Sequence, residues 1–446
     1  MPGSHWACAG DASFWQPAHA PPHPTPLPPS PPTQNETPPS QVVPFQQRVA
    51  IFRRLVDAER SHAAPMAAWG GRPGDTQRIR VRRTHLFDDS FEALGGLGAG
   101  LRRRLQVTFV NEHGMEEAGI DGGGVLKEFI DALTKCTFDP ALGLFQATDE
   151  QLLYPSPDVD TADADTLARF EFAGSILGKA VFEGILVEPQ LSPTFLNTLL
   201  GRDNIIDDLF TLDPALYRSL VQLKALAATP GQDVADLALT FSNFNTGGGG
   251  GGGSAQQRVV DLVPGGRALD VTNANVASYV LLLAHYRLDR ATARQTRAFL
   301  RGFRALVPTQ WVRLFAPREL QRLVGGDGER RIDIADLRAH TTYGGGYHES
   351  QPVMHWFWDI IANFTPAQQA LFLKFVTSCS RQPLLGFKHL SPPMCIQQVE
   401  SGERGNKLPS SATCMNLLKL PRYDSRETLR EKLLYAISAG AGFELT

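Results

Sequence analysis

The chain has 446 residues, 42% hydrophobic and 20% charged, enough to bury one large core or several smaller ones, roughly three domain-sized units by length. Lys and Arg total 43 against 46 Asp and Glu, a balance that calls for neither nucleic acid nor an anionic membrane as partner. The five cysteines (Cys8, Cys136, Cys379, Cys395, Cys414) are few and odd in number, which fits reduced thiols rather than a disulfide framework.

The amino terminus, MPGSHWACAGDASFW, has no basic region followed by an apolar stretch and is not a secretory signal. From Gln16 to Pro44 proline dominates, so an extended linker is expected. Phe45, Val49, Phe52, Leu55 and Val56 then recur at helical spacing, and folded structure is expected to begin at Phe45. The segment FEFAGSILGKAVFEGILV reads as a buried helix, with Gly174 and Gly178 as close-packing sites. The run Gly247 to Gly253 interrupts strand-like sequence on both sides and reads as the flexible tip of a hairpin-like connection. The longest apolar run, Val276 to Ala284, is far short of the roughly 20 residues of a spanning helix. A cytoplasmic or nuclear protein is therefore expected.

Towards the carboxyl end the signals sharpen. Thr365, Pro366 and Gln368 form a capping box ahead of Leu371, Phe372 and Phe375. Asp424 and Glu427 repeat that pattern ahead of Leu429, Leu433, Ala436 and Ile437, before Gly440 and Gly442 end the helix. Between these helices MCIQQVE and MNLLKLP read as short strands. Cys414 then lies on a loop entering a strand.

Three glycine-rich stretches invite a phosphate-binding reading, and each fails on spacing. The first, at Gly174 to Lys179, has too few residues between its glycines and no Ser/Thr to hold magnesium. GGLGAG at Gly95 to Gly100 follows a helix rather than a strand, and GIDGGG at Gly119 to Gly124 lacks the lysine. Cys379, Cys395 and Cys414 are too widely spaced for a zinc knuckle, and His340, His348, His355 and His389 form no metal-binding pair. No metal or other cofactor is expected. Cys414 is open to two readings, a small core residue or an accessible thiol; the small, polar Pro409 to Thr413 ahead of it suits an accessible loop.

The stretch LPSSATCMNLLKLP and the ending YAISAGAGFELT closely resemble the catalytic lobe of HECT-type ubiquitin ligases. The resemblance continues through FVNEHGMEEAGIDGGGVLKEFI, LGKAVFEGILVEP, LVPGGRALDVTN and RRIDIADLRAHTTYGGGYHESQPVMHWFWDII, covering nearly everything from Phe45 onward. The wording of TSCSRQPLLGF is most like the branch whose longer members carry amino-terminal IQ motifs. The resemblance implies an α+β, bilobal HECT domain: a mostly helical N-lobe over 45–327, a hinge at 328–330, and a smaller C-lobe over 331–446. Residues 1–44 would be a disordered proline-rich segment, and 207–287 a subdomain that binds the conjugating enzyme, with the polyglycine loop 247–253 inside it.

The resemblance implies, further, that ubiquitin passes from a conjugating enzyme to Cys414 and then to a substrate lysine. Phe443 matches a phenylalanine needed for the second step, and Glu444 is a candidate to help the acceptor amine lose its proton. Tyr279 aligns with an aromatic of the docking groove, with Leu283 one turn away, and Leu220 and Leu223 are further candidates. The partners implied are ubiquitin, a conjugating enzyme and protein substrates, with no nucleic acid and no membrane. Ala412 stands where many family members carry histidine, and no inactivity is read from it. Two rivals differ in class: a scaffold that binds a conjugating enzyme or ubiquitin and transfers nothing, and a cysteine hydrolase. With only the proline-rich segment ahead of the domain, a short form or an incomplete gene product is expected.

Overall fold

The computed structural model describes residues 43–63, 76–111, 113–117, 124–245, 258–326, 332–390, 392–400 and 407–439. The proline-rich segment up to residue 42, the polyglycine run and the expected hinge lie outside them, as do Phe443 and Glu444. Among the described residues no helix is long and apolar enough to cross a membrane.

Helix α1 (Phe45–Ala63) begins where the periodicity predicts. It buries Val49, Phe52 and Val56. Arg48 on the same face is 2% exposed. Its guanidinium donates to the Leu314 carbonyl at 2.7 Å and to both carboxylate oxygens of Glu319 at 2.6 Å. Burial pushes the Glu319 carboxyl up, but the hydrogen bonds from Arg48 and the Ala316 amide together with the nearby Arg48 and Arg322 charges bring the net shift downward. A paired, bidentate charge of this kind fixes where the first helix docks.

Strands β1 (Thr76–Arg82) and β2 (Arg104–Val110) pair in parallel, Thr76 opposite Arg104 through Arg82 opposite Val110. Ile79, Val81, Leu105, Val107 and Phe109 point inward, the period-2 pattern of a sheet covered on one face. Helix α2 (Gly124–Phe138) follows, then the short pair β3 (Phe145–Ala147) and β4 (Leu153–Pro155). Helix α3 (Ala164–Glu183) is capped by Asp163, which accepts from the Asp165 and Thr166 amides, and ends on Gly184 at φ 76°. From Phe172 to Phe182 every residue of α3 is buried, as expected of a helix apolar all round.

Helix α4 (Pro214–Ala228) is capped by Asp213. Strands β5 (Ser242–Asn245) and β6 (Arg258–Asp261) form an antiparallel hairpin pair, followed by α5 (Val276–Leu288). Helix α6 (Ala293–Leu306) turns Ala298, Phe299, Gly302, Phe303 and Leu306 inward, and α7 (Pro317–Gly325) carries Glu319. These elements share one hydrophobic cluster that runs from Val49 to Val324.

A second cluster, from Leu337 to Ile437, forms the smaller core. Its sheet has the order β7 (Thr342–Gly344), β8 (Cys395–Val399), β10 (Leu417–Pro421), β9 (Ser410–Ala412). The first two pairings are parallel and the last is antiparallel. Helices α8 (Pro352–Ala362), α9 (Pro366–Thr377) and α10 (Arg426–Ser438) cover it. The capping box of α9 is present as expected: Thr365 accepts from the Gln368 amide at 3.2 Å, and the Gln368 side chain accepts from the Thr365 amide at 2.9 Å.

Two expectations are corrected. The cap of α10 is Ser425, accepting from the Thr428 amide at 3.1 Å, not Asp424. Ser425 is the residue with extended backbone at the helix entry, which places its hydroxyl over the first turn. Ser410 to Ala412, expected in a loop, form an edge strand, because Ala412 pairs with Leu417 and Ser410 with Lys419.

The glycines of α3 and α6 meet back to back. A Cβ on Gly174 would lie 1.9 Å from the Phe299 carbonyl oxygen, and one on Gly302 would lie 1.8 Å from that of Glu171. Gly174 is thus a close-packing site, and no phosphate loop. Gly302→Ala forces the helices apart and should lower unfolding free energy by about 3 kcal/mol in urea titration. Gly96→Ala, where a Cβ meets nothing within 4 Å, should change it by less than about 0.5 kcal/mol.

Candidate functional site

Cys414 is the middle residue of a one-turn helix, Thr413–Met415, between β9 and β10. The flanking strands hold that turn on both sides. On the entry side the Ser411 hydroxyl donates to the Phe375 carbonyl at 2.5 Å, tying β9 to α9. On the exit side Leu418 and Leu420 are fully buried, and the Tyr347 hydroxyl donates to the Pro421 carbonyl at 3.0 Å. Burial pushes the Tyr347 phenol up to about 12, so it stays a neutral donor. The Tyr423 hydroxyl donates to the Lys407 carbonyl at 2.6 Å, and burial raises that phenol too.

The turn closes on Asn416, which lies at φ 48°, ψ 39°. Asparagine tolerates this left-handed conformation better than other side-chain-bearing residues. Asn416 is 0% exposed, yet its polar groups are used. Its amide donates to the Thr413 carbonyl at 3.2 Å and its carbonyl accepts from the Cys395 amide at 3.0 Å. Its side-chain NH₂ donates to the Pro392 carbonyl at 2.6 Å, and its side-chain oxygen accepts from the Lys127 ammonium on α2 at 2.7 Å. Neither residue stands out in the sequence. The signal for Asn416 is an asparagine directly ahead of an apolar strand; nothing local points to Lys127.

The four residues expected at a docking groove are brought together, but in the interior. Tyr279 and Leu283 on α5 and Leu220 and Leu223 on α4 are all at most 8% exposed. The Tyr279 ring meets Phe241 edge-on at 5.5 Å, and burial raises its phenol. Helical spacing identifies their common face and leaves open which side of it is covered. The large apolar side chains presented to solvent among the described residues of 207–287 are Leu281 (64%), Phe210 (53%), Val221 (50%), Leu237 (50%) and Leu269 (46%). Phe443 and Glu444 lie outside the described residues.

Among the described residues no group of three or more His, Cys, Asp or Glu could hold a metal ion. Cys379 is buried and Cys136 and Cys395 are half-buried, all as free thiols; burial raises the Cys136 and Cys379 thiols. A cavity of about 410 Å³ opens among Tyr154, Phe195, Leu288 and Arg304, and no residue of the Cys414 turn lines it.

Residues 131–446 match the family model of the HECT domain, described as a ubiquitin-transferase. The chain is 43% identical over 410 residues to E3 ubiquitin-protein ligase UPL6 of Arabidopsis thaliana, covering 91% of this chain and 38% of that protein. It is 41% identical over 435 residues to ubiquitin-protein ligase E3B of Homo sapiens, covering 91% and 40%. E3 ubiquitin-protein ligase HUL5 of Saccharomyces cerevisiae is 35% identical over 418 residues, covering 91% and 44%. The chain thus spans well under half the length of these relatives. The match of residues 131–446 to the family model, with relatives 35 to 43% identical over 91% of the chain, makes the chain a member of the HECT-domain ubiquitin-transferase family.

Proposed function

We propose that the chain is a HECT-type ubiquitin ligase that accepts ubiquitin from a conjugating enzyme as a thioester on Cys414 and transfers it to substrate lysines. The observation that carries this reading is the position of Cys414 at the centre of a turn braced by two strands, within a chain of this family. A free thiol of pKa about 8.5 is a few per cent thiolate at neutral pH. The Cys414 thiolate attacks the thioester carbonyl, a carbon–sulfur bond forms to Cys414, and the conjugating enzyme's cysteine leaves as thiolate. Exchange of thioester for thioester is nearly isoenergetic and keeps the acyl group activated. In the second step a lysine amine attacks, the amide forms, Cys414 leaves as thiolate and the amine gives up a proton.

In this reading residues 45–327 and 331–446 are the two lobes, joined by a hinge at 328–330. The existence of two separate hydrophobic clusters supports the division. The conjugating enzyme docks on 207–287, where Tyr279, Leu283, Leu220 and Leu223 shape the floor from beneath and exposed apolar neighbours such as Leu281 and Val221 make the contact. Phe443 helps to place the acceptor lysine and Glu444 helps to take its proton, on the resemblance of the FELT ending alone. The protein works in the cytoplasm or nucleus and belongs to the branch with amino-terminal IQ motifs, on the wording of TSCSRQPLLGF.

The experiment that tests the function mixes the chain with ubiquitin, activating enzyme, a panel of conjugating enzymes and ATP, and resolves the products without reductant. Wild type should form an adduct that a thiol reductant removes, and Cys414→Ala should form none. Binding of a conjugating enzyme with no adduct would favour a scaffold; cleavage of ubiquitin conjugates without ATP would favour a hydrolase.

The docking assignment separates structure from contact. Tyr279→Ala should lower stability by about 3 kcal/mol, because it empties a core position. Leu281→Ser should leave stability within about 0.5 kcal/mol and slow charging. If Leu281→Ser is charged at the wild-type rate, this face of α5 takes no part in docking.

A further inference from the structure

Among the described residues the units built on the two cores share a small set of polar contacts, beside the packing of Leu384 and Leu385 on the larger core. The Lys374 ammonium on α9 lies 3.1 Å from Glu188, in the segment after α3, and Arg381 donates to the Gly325 carbonyl at 3.2 Å. The first of these is half-exposed on both sides and therefore weak and screened by salt. The third contact is of another kind. Lys127 on α2 donates at 2.7 Å to an amide oxygen that belongs to a fully buried residue.

That residue, Asn416, stands two positions after Cys414 and closes its turn. Three of its four hydrogen bonds, to Thr413, Pro392 and Cys395, stay within the smaller unit. The fourth comes from the larger one. A charged donor on an amide oxygen makes a stronger bond than a neutral pair. It also fixes the amide's orientation, and so holds the NH₂ group on Pro392. The helix that carries Lys127 packs directly on the turn. One turn further along α2, Asp131 is buried and paired with Lys135 at 2.6 Å. Lys127, Glu188 and Gly325 all lie outside 207–287. The cysteine turn is thus completed by another unit in an arrangement distinct from one in which it faces the docking subdomain.

We propose that Lys127 is a positioning residue for the second transfer: through Asn416 it holds the Cys414 turn in shape once the smaller lobe has moved onto α2, and it has no part in charging. This inference rests on the reading of Cys414 as the thioester-forming nucleophile. It assigns to the N-lobe a residue that steadies the nucleophile's turn in only one lobe arrangement.

The test charges wild type, Lys127→Met, Lys127→Arg, Asn416→Gly and the Lys127→Met/Asn416→Gly double variant with ubiquitin, then quenches charging and follows discharge of the adduct to free lysine. Methionine keeps the length of the stem on a half-exposed helix position, and glycine accepts the left-handed backbone at 416. Lys127→Met should charge within about twofold of wild type and discharge about tenfold more slowly, the scale set by losing one charge-assisted hydrogen bond. Lys127→Arg should recover part of the rate. The double variant should discharge no more slowly than Asn416→Gly alone, because Lys127 acts through Asn416. Unchanged discharge in Lys127→Met, an equal loss in both steps, or losses that multiply in the double variant would each overturn the proposal. Absence of a reductant-sensitive adduct on wild type would overturn the ligase reading itself, an outcome seen ahead of any comparison of Lys127 variants.

Discussion

The larger core depends on the contact between α3 and α6, where two helices approach until backbone touches backbone. With no Cβ at Gly174 or Gly302, the carbonyls of Phe299 and Glu171 occupy the space a methyl would need. Such an approach fixes both helices in rotation and in register, and the surrounding side chains must fill what is left. Phe299 does so with Phe138, Phe145 and Phe195, ring centroids 5.1 to 6.2 Å away. Lys179 on α3 is drawn fully inside and is tolerated because its ammonium reaches the Arg103 carbonyl at 3.0 Å and Glu183 at 2.5 Å. A buried charge without those partners would be strongly destabilising. Helix α2 packs against α3, so the rigidity of the crossing is passed to the surface that meets the cysteine turn.

The smaller core is built to a different end. Its sheet holds the Cys414 turn at one edge, and most of the anchors are hydroxyl or amide groups aimed at backbone carbonyls: Ser411 at Phe375, Tyr347 at Pro421, Tyr423 at Lys407, Asn416 at Pro392. Each removes a freedom from the strands that flank Cys414. Where the two units meet, Leu384 and Leu385 pack against the larger core, and the rest of the junction includes polar contacts that water can replace. Interfaces of this character permit relative motion.

The parts of the fold that are legible in the sequence are those set by local chemistry. The Thr365 capping box needs atoms from only four residues, and the burial of Leu429, Leu433, Ala436 and Ile437 follows from one helical stripe. The expectations that fail share a cause. Asp424 and Ser425 give the same capping signal, and the path of the chain leaving β10 decides between them. Ser410 to Ala412 look like a loop because their partner on β10 is a matter of tertiary pairing. Tyr279 and Leu283 are a separate case: their shared face follows from helical spacing, and its burial against α4 and Phe241 is set by tertiary packing.

By itself the sequence determined the Thr365 cap, the strands at MCIQQVE and MNLLKLP, the buried stripe of Leu429, Leu433, Ala436 and Ile437, and the motifs that tie the chain to its family, because all of these are written in neighbouring residues. Only the tertiary structure decided that Asn416 would take a left-handed conformation in full burial and receive a lysine 289 positions away. Hydrogen bonds across such a separation exist only after two cores have formed and met.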